Sequence, residues 1–185
     1  MSRVTPDPII SRLPVGETVQ AQYGDWGDAT ATFDTSYAYR YRLSRIWDVS
    51  RSRVAWIMLN PSRATAAEVD PTINRILRFS KSWGHGAAEV VNLFALRVTD
   101  PTELKRHFDP VGPRNDEAIV AAVGSADRVV AAWGTRGVMD GRDAVVTGLV
   151  RRATATVEVL GLTMAGHPRH PLYVAKTTQP YPRLV

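Results

Sequence analysis

Four short apolar runs are spaced along the chain, and each is apolar at nearly every position rather than at alternate ones. The runs are VAWIML (54–59), EVVNL (89–93), RVVAAW (128–133) and TVEVL (156–160). Continuous apolar runs of this length are typical of strands buried on both faces of a parallel sheet. The segments between them that predict helices are 71–83, 115–124 and 142–153. The pattern predicts alternating strands and helices, with helices on both faces of the sheet.

The first 53 residues are patterned differently. Residues 1–30 carry several prolines and glycines without a sustained period, which predicts an irregular N-terminal arm. Alternation over 33–47 predicts a strand at 37–47, paired antiparallel with the strand at 54–59. The expected fold is a three-layer α/β sandwich in one domain, residues 31–185. Its central, mainly parallel sheet of about four strands would carry one antiparallel edge strand.

The composition is that of a globular chain, with 44% hydrophobic and 22% charged residues. A length of 185 residues suits one well-cored domain better than two. No apolar run approaches the roughly 20 residues needed to cross a bilayer, and residues 1–14 lack the apolar stretch of a signal peptide. We therefore expect a cytoplasmic protein with no membrane partner, and the sequence leaves its oligomeric state open.

The absence of cysteine excludes disulfides, thiolate metal sites and a cysteine nucleophile. The four histidines show no metal-ligand spacing, so we expect no metal. The common dinucleotide, kinase, hydrolase and metalloprotease motifs are also absent, and no cofactor is expected. The net charge of +5 comes mainly from arginine, which suits phosphate contacts but equally fits a basic, inert surface.

Polar residues follow each of the four apolar runs. The carboxyl ends of parallel strands meet at one edge of the sheet, where open α/β folds bind ligands. The sequence therefore predicts a pocket at this edge and a set of candidate site residues. They are Asn60, Ser62, Asp70, Asn92, Arg97, Arg169, His170 and Tyr173.

Two of these residues are the candidate catalytic pair. Asn60 ends a buried strand and could orient a water molecule or bind an amide edge, or could simply form an Asn-Pro turn. His170 lies in the sequence HPRHPLY, where two X-Pro bonds stiffen the loop. Its imidazole could stabilise charge on a leaving group, or be an ordinary loop histidine.

The other candidates are expected to bind the ligand. Ser62 could contact phosphate or cap the following segment, and Asn92 could contact the ligand or bond a neighbouring loop. Arg97 could reach a phosphate, whereas Asp70 could instead be a cap or a salt-bridge partner. Arg169 and Tyr173 belong to the same loop as the candidate histidine.

Six motifs in order resemble a bacterial and phage family, domain-of-unknown-function family 1643. They are MLNPS, DPTINR, VVNLFALR, DPVGPRND, VVAAWG and HPRHPLY, and the similarity spans about residues 33–182. The family name carries no established activity.

The same order of motifs is more distantly similar to the uracil-DNA glycosylase superfamily. That resemblance implies a uracil-DNA-glycosylase-like fold, with Asn60 positioning water, Asn92 reading a base edge and His170 stabilising the departing base. Departures from the pattern include Ser62, where many glycosylases have glycine. The leading hypothesis is an enzyme that hydrolyses an N-glycosidic bond in a nucleobase-containing substrate, a nucleotide or nucleic acid. The alternatives are a non-catalytic nucleotide or nucleic-acid binding module and an unrelated small-molecule enzyme.

Overall fold

A computed structural model describes residues 17–24, 27–62, 64–153 and 156–183 of the chain. In these residues eight strands form one mixed sheet, in the order β1-β2-β3-β5-β4-β6-β7-β8. The strands are β1 (Glu17–Gly24), β2 (Gly27–Asp34), β3 (Arg40–Ile46), β4 (Arg53–Met58), β5 (Ala87–Asn92), β6 (Arg128–Ala131), β7 (Glu158–Val159) and β8 (Tyr181–Pro182).

The four strands expected at the centre are present and mutually parallel. β4 pairs with β5 on one side and with β6 on the other, and β6 pairs with β7. The remaining pairings, β1 with β2, β2 with β3, β3 with β5 and β7 with β8, are antiparallel. The sheet is therefore larger and less parallel than the sequence predicted.

The position of β3 corrects the sequence-based expectation. β3 was expected to pair with β4 at one edge, but it pairs with β5, with Leu43 opposite Val90. Because β4 is already paired on both sides, no free edge of β4 is left for β3. β2 covers the other side of β3, which therefore lies inside the sheet.

A hairpin near the N-terminus corrects a second expectation. β1 and β2 pair antiparallel over their whole length, so residues 17–24 and 27–30 are not an irregular arm. Alternate side chains of β2, Ala29, Ala31 and Phe33, are buried, which fixes its inner face. Gly27 has a φ of +121°, and a Cβ there would lie 2.1 Å from the Ile46 carbonyl oxygen. Residues 1–16 lie outside the described residues.

In the part of the chain that the structure describes, three α-helices lie on the two faces of the sheet. α1 (Pro71–Ser82) packs on one face, whereas α2 (Asn115–Gly124) and α3 (Arg142–Ala153) pack on the other. Each face has its own apolar core, centred on Trp56 for α1 and on Ile57 for the opposite face. The adjacent residues of β4 thus point to opposite layers, as the pleat of a strand requires.

The start of α2 has no side-chain cap, although Asn115 and Asp116 are residue types that favour capping positions. The N-cap is Arg114, without a capping side-chain hydrogen bond. The Asn115 side chain is fully buried and donates to the carbonyl oxygens of Asn92 and Leu93. It therefore holds the loop that follows β5. No helix in the described part of the chain has the length and apolarity needed to cross a membrane.

Candidate functional site

A cavity of about 800 Å³ lies at the carboxyl ends of the parallel strands, on the side of the sheet that α1 covers. Its walls come from the ends of β4 and β5, the loops after β6 and β7, and the first turn of α1. Seven of the eight candidate residues line it. They are Asn60, Ser62, Asp70, Asn92, Arg169, His170 and Tyr173.

Arg97 does not line the cavity. Its guanidinium lies over the Phe33 ring, 5.0 Å from the centroid, and donates to the Tyr37 carbonyl oxygen at 2.9 Å. The side chain therefore turns back towards the β2–β3 connection. An arginine in the segment that follows a strand can extend in either direction, and sequence alone does not select one.

The amide nitrogen of Asn60 is used in hydrogen bonds to the backbone of two loops. Its Nδ2 donates to the carbonyl oxygens of Pro61 and Val98, at 3.0 and 2.9 Å. Two acceptors at Nδ2 fix the orientation of the amide, because the flipped amide would place oxygen against oxygen. Oδ1 has no donor among the described residues. Asn60 therefore braces two loops and leaves a carbonyl oxygen available as an acceptor.

Ser62 and Asp70 form the wall beside the N-terminus of α1. Asp70 is the N-cap: its Oδ1 accepts from the Ile73 backbone N–H at 2.8 Å, and its Oδ2 accepts from the Ser62 hydroxyl. A carboxylate is favourable at a helix N-terminus because it satisfies free N–H groups and the helix dipole. The capping alternative for Asp70 thus describes its contacts, and the residue also places a negative charge at the cavity.

His170 is the candidate with one free ring nitrogen. Its Nδ1 accepts from the Leu172 backbone N–H at 3.3 Å, so the neutral ring carries its proton on Nε2. No described residue bonds Nε2. Burial lowers the pKa of His170, and the nearby Asp70 carboxylate partly offsets this. The imidazole is therefore predominantly neutral at pH 7, with Nε2–H free to donate, and it packs against Tyr173 at a ring-centroid distance of 5.6 Å.

The inner end of the cavity contains two buried polar side chains. Arg40 is 2% exposed and Asn92 is 1% exposed, yet both line the cavity. Arg40 begins β3, and because β3 runs antiparallel to β5, its first residue lies at the same edge as the end of β5. Sequence reasoning missed Arg40, since an arginine in an alternating strand reads as a surface residue.

The outer end of the cavity is exposed and basic. Arg136 is paired with Asp100 at 3.8 Å and stands at the mouth with Arg169, Met164 and Tyr173. The last two are 107% and 77% exposed. Arg136 lies in the polar segment after β6, which the sequence had marked without naming it as a site residue. The cavity therefore runs from a buried polar end to an open cationic mouth.

The described residues contain no cluster of three or more histidine, aspartate or glutamate side chains that could hold a metal ion. The polar groups available at the cavity are instead amides, hydroxyls, guanidinium groups, one carboxylate, one imidazole and one indole N–H. These groups can bind a polar, acceptor-rich ligand, orient water and donate to a leaving group.

Comparison with known proteins gives one family. Residues 40–172 match the sequence model of a family described as "Protein of unknown function (DUF1643)". No curated protein matches this chain. Among solved structures, the hetero-hexameric glutamate dehydrogenase from Thermus thermophilus in its leucine-bound form is similar at 11% identity. The match covers 75% of this chain and 31% of that one, with a TM-score of 0.32, a likeness that carries no functional argument.

Proposed function

Since the chain belongs to the DUF1643 family, whose description assigns no function, we propose its activity from the cavity: binding of a nucleotide unit and hydrolysis of its N-glycosidic bond. The nucleotide unit is either free or part of a nucleic acid. The base enters the buried end, and the phosphate stays at the basic mouth.

The change in charge along the cavity is the observation that carries this proposal. At the inner end, Arg40 lies close enough to Asp70 for the two charges to interact, so a neutral polar group is suited to this end. At the mouth, Arg136 and Arg169 provide positive charge, part of which Asp100 offsets. A neutral base joined through a sugar to a phosphate has the same distribution of polarity. Arginine also suits phosphate because its planar N–H groups bond two oxygens together.

Asn60 and His170 supply the chemistry in this proposal. Asn60 Oδ1 accepts a hydrogen bond from a water molecule and orients it towards the anomeric carbon of the sugar. As the carbon–nitrogen bond breaks, its electron pair goes to the base, and His170 Nε2–H donates to the developing negative charge. The water oxygen bonds to the anomeric carbon and its released proton ends on the base. The products are a free base and a sugar with a new hydroxyl group.

The distant resemblance to the uracil-DNA glycosylase superfamily supports the same assignment. Two of the motifs that carry it, MLNPS and HPRHPLY, contain Asn60 and His170. Both residues lie on the wall of the cavity. If the substrate is duplex DNA, the target nucleotide must leave the base stack to enter.

A non-catalytic nucleotide-binding module is the second candidate. The favouring observation is that several polar groups already have structural partners. Asn60 Nδ2 bonds two carbonyl oxygens, and both carboxylate oxygens of Asp70 accept hydrogen bonds. These contacts explain the polar residues as braces of the cavity wall without any reaction.

Base release separates the two candidates. The protein is incubated with nucleosides, nucleoside 5′-monophosphates and DNA that contains damaged bases, and free base is measured by chromatography. Hydrolysis predicts release that the wild type produces and His170→Ala slows strongly. His107→Ala is the matched control, because His107 is exposed and does not line the cavity. Binding of a nucleotide without release of any base would favour the binding module, and no binding at all would reject both.

A further inference from the structure

Arg40 is a buried guanidinium with far fewer acceptors than donors. Of its five N–H groups, one Nη1–H donates to the Ala64 carbonyl oxygen, and Nε has no acceptor among the described residues. The side chain is only 2% exposed, so its contact with solvent is small. Buried donors are nearly always hydrogen-bonded, because an unpaired buried donor costs the loss of its hydration.

The neighbouring buried arginine on the same strand shows the contrast. Arg45 is 3% exposed and does not line the cavity. Its two terminal nitrogens donate to the carbonyl oxygens of Ser44 and Thr65, at 3.0 and 2.7 Å. Both arginines leave Nε without an acceptor among the described residues, but Arg45 bonds both of its terminal nitrogens within the protein, whereas Arg40 bonds one and lines the cavity.

Arg40 remains a cation despite its burial. Burial lowers the pKa of its guanidinium to about 9, an effect that Asp70 opposes and that Arg97 and Arg45 reinforce. A group with this pKa is charged at pH 7. The Asp70 carboxylate balances that charge and disfavours a phosphate at the same place. The missing acceptor is therefore better supplied by a neutral carbonyl oxygen or ring nitrogen than by a second anion.

Asn92 adds a second donor at the same end of the cavity. It ends β5, the neighbour of β3 in the sheet, and its side chain is 1% exposed. Its Nδ2 also has no acceptor among the described residues. Two buried donors without acceptors, on adjacent strands and lining one cavity, match a ligand edge that carries acceptors.

We infer that the buried end of the cavity selects oxo-bases, with Arg40 donating to a carbonyl oxygen of the base. The inference rests on the proposed nucleotide binding and names its substrate class. An amino group at the corresponding position would present hydrogen to a donor and leave Arg40 unpaired. Arginine reads carbonyl oxygen and ring nitrogen in this way at the edge of guanine. The same contact makes Arg40 a specificity-determining residue.

Affinity for matched nucleotides tests this inference in the wild-type protein. Calorimetry compares inosine with adenosine 5′-monophosphate and uridine with cytidine 5′-monophosphate, pairs that exchange one oxo group for one amino group. We expect the oxo member of a pair to bind roughly 10- to 100-fold more tightly, the discrimination typical of a good bidentate contact. Equal binding, or tighter binding of the amino members, would overturn the inference while leaving nucleotide binding intact. Binding of none of the four would overturn the proposed function and the inference with it.

The variant Arg40→Gln then tests whether Arg40 causes the preference for oxo-bases. We expect the folded variant to bind oxo and amino nucleotides with similar affinity. Arg45→Gln, on the same strand and equally buried, should keep the wild-type preference. A folded Arg40→Gln protein that still prefers oxo-bases would remove Arg40 from recognition. If Arg40→Gln does not fold, the wild-type comparison decides the selectivity by itself.

Discussion

Each end of the parallel strands carries a histidine, but the two histidines differ in how many of their ring nitrogens are hydrogen-bonded. At the amino end, His85 is buried and uses both ring nitrogens: Nδ1 bonds the Ser52 hydroxyl at 2.7 Å, and Nε2 accepts from Arg128 at 3.3 Å. At the carboxyl end, His170 uses Nδ1 and leaves Nε2 free beside a cavity. Burial lowers the pKa of both histidines.

This contrast separates structural polar groups from candidate functional ones. Arg128 also lies over the Trp83 ring and pairs with Glu158 at 3.1 Å, so the charge of Arg128 is balanced within the amino-end cluster. The carboxyl-end groups keep unused donors and acceptors at Asn60, Arg40 and His170. A shifted pKa does not distinguish the two ends, whereas unused hydrogen-bonding capacity at a cavity does.

Asn60→Ala should have the largest effect on activity. We expect turnover to fall by about 10²- to 10³-fold, the usual cost of removing an orienting or charge-stabilising group. Affinity should change much less, because the water contact acts chiefly in the transition state. Steady-state kinetics of base release measure both quantities.

Asn74→Ala is the matched control, since Asn74 lies on the exposed face of α1 and its side chain accepts a hydrogen bond from Arg78. Because Asn60 also braces Pro61 and Val98, circular dichroism must show that the variant is folded. A folded Asn60→Ala protein with unchanged turnover would remove Asn60 from the mechanism.

Replacing His170 and His85 by alanine, one at a time, should distinguish the functional end of the parallel strands from the structural end. His170→Ala is expected to lower turnover on the order of 10²-fold with little loss of stability, because its ring has only one weak hydrogen bond. His85→Ala should leave turnover unchanged but reduce the free energy of unfolding by about 1–3 kcal/mol, since Ser52 and Arg128 lose a partner.

Urea denaturation and base-release assays on the two variants check this reciprocal pattern. If a fully folded His85→Ala protein lost turnover, the chemistry would lie at the amino end of the strands, which would contradict the proposed site. A His170→Ala protein that is destabilised but fully active would assign His170 to the loop structure alone.

The central strands were predictable because short, continuous apolar runs are typical of strands that are buried on both faces. Helix α3 was expected at the residues where it lies, 142–153, and α1 ends one residue before its predicted end at 83, close to Gly84, whose φ is +85°. The hairpin of β1 and β2 was missed, because glycines and polar residues in 17–34 obscure a strand that buries only one face. The strand order was also missed, since insertion of β5 between β3 and β4 depends on tertiary pairing.

The candidate site likewise contains residues that the sequence predicted and residues whose positions depend on tertiary pairing. Strand ends brought Asn60, Asn92 and His170 to one cavity, as parallel topology requires. Arg40 could not be selected from sequence, because its place at the cavity depends on the antiparallel pairing of β3 with β5. Arg97 was misplaced for the converse reason, since its stacking on Phe33 depends on β2.

Arg136→Gln and Arg169→Gln should have smaller effects, confined to ligands with phosphate. Both arginines are exposed, and single exposed ion pairs are worth about 0.2–1 kcal/mol, or a few-fold in affinity. Affinity for a nucleoside 5′-monophosphate should fall, whereas affinity for the nucleoside should not. Arg151→Gln, on an exposed part of α3 away from the cavity, is the control. Equal losses for both ligands would contradict phosphate binding at the mouth.

The free energy of unfolding should depend on pH through the histidines at both ends of the parallel strands. His85 and His170 have pKa values below their ordinary value of 6.5, so folding favours their neutral forms. This contribution is complete above pH 6.5 and is lost as pH falls through the lowered folded-state pKa, because the unfolded chain binds the protons first. Unfolding from pH 8 to pH 5 should show a fall that His85→Ala and His170→Ala each reduce. An unchanged pH profile in both variants would contradict the burial effect.

The most direct test is an NMR titration of the imidazole signals of His85 and His170 with inosine 5′-monophosphate. The signals are assigned by comparison with His85→Ala and His170→Ala. If the nucleotide binds at the carboxyl ends of the parallel strands, the His170 signals shift in a saturable way and the His85 signals do not. Saturable shifts at His85 with none at His170, or no shift at either, would contradict a nucleotide site in this cavity.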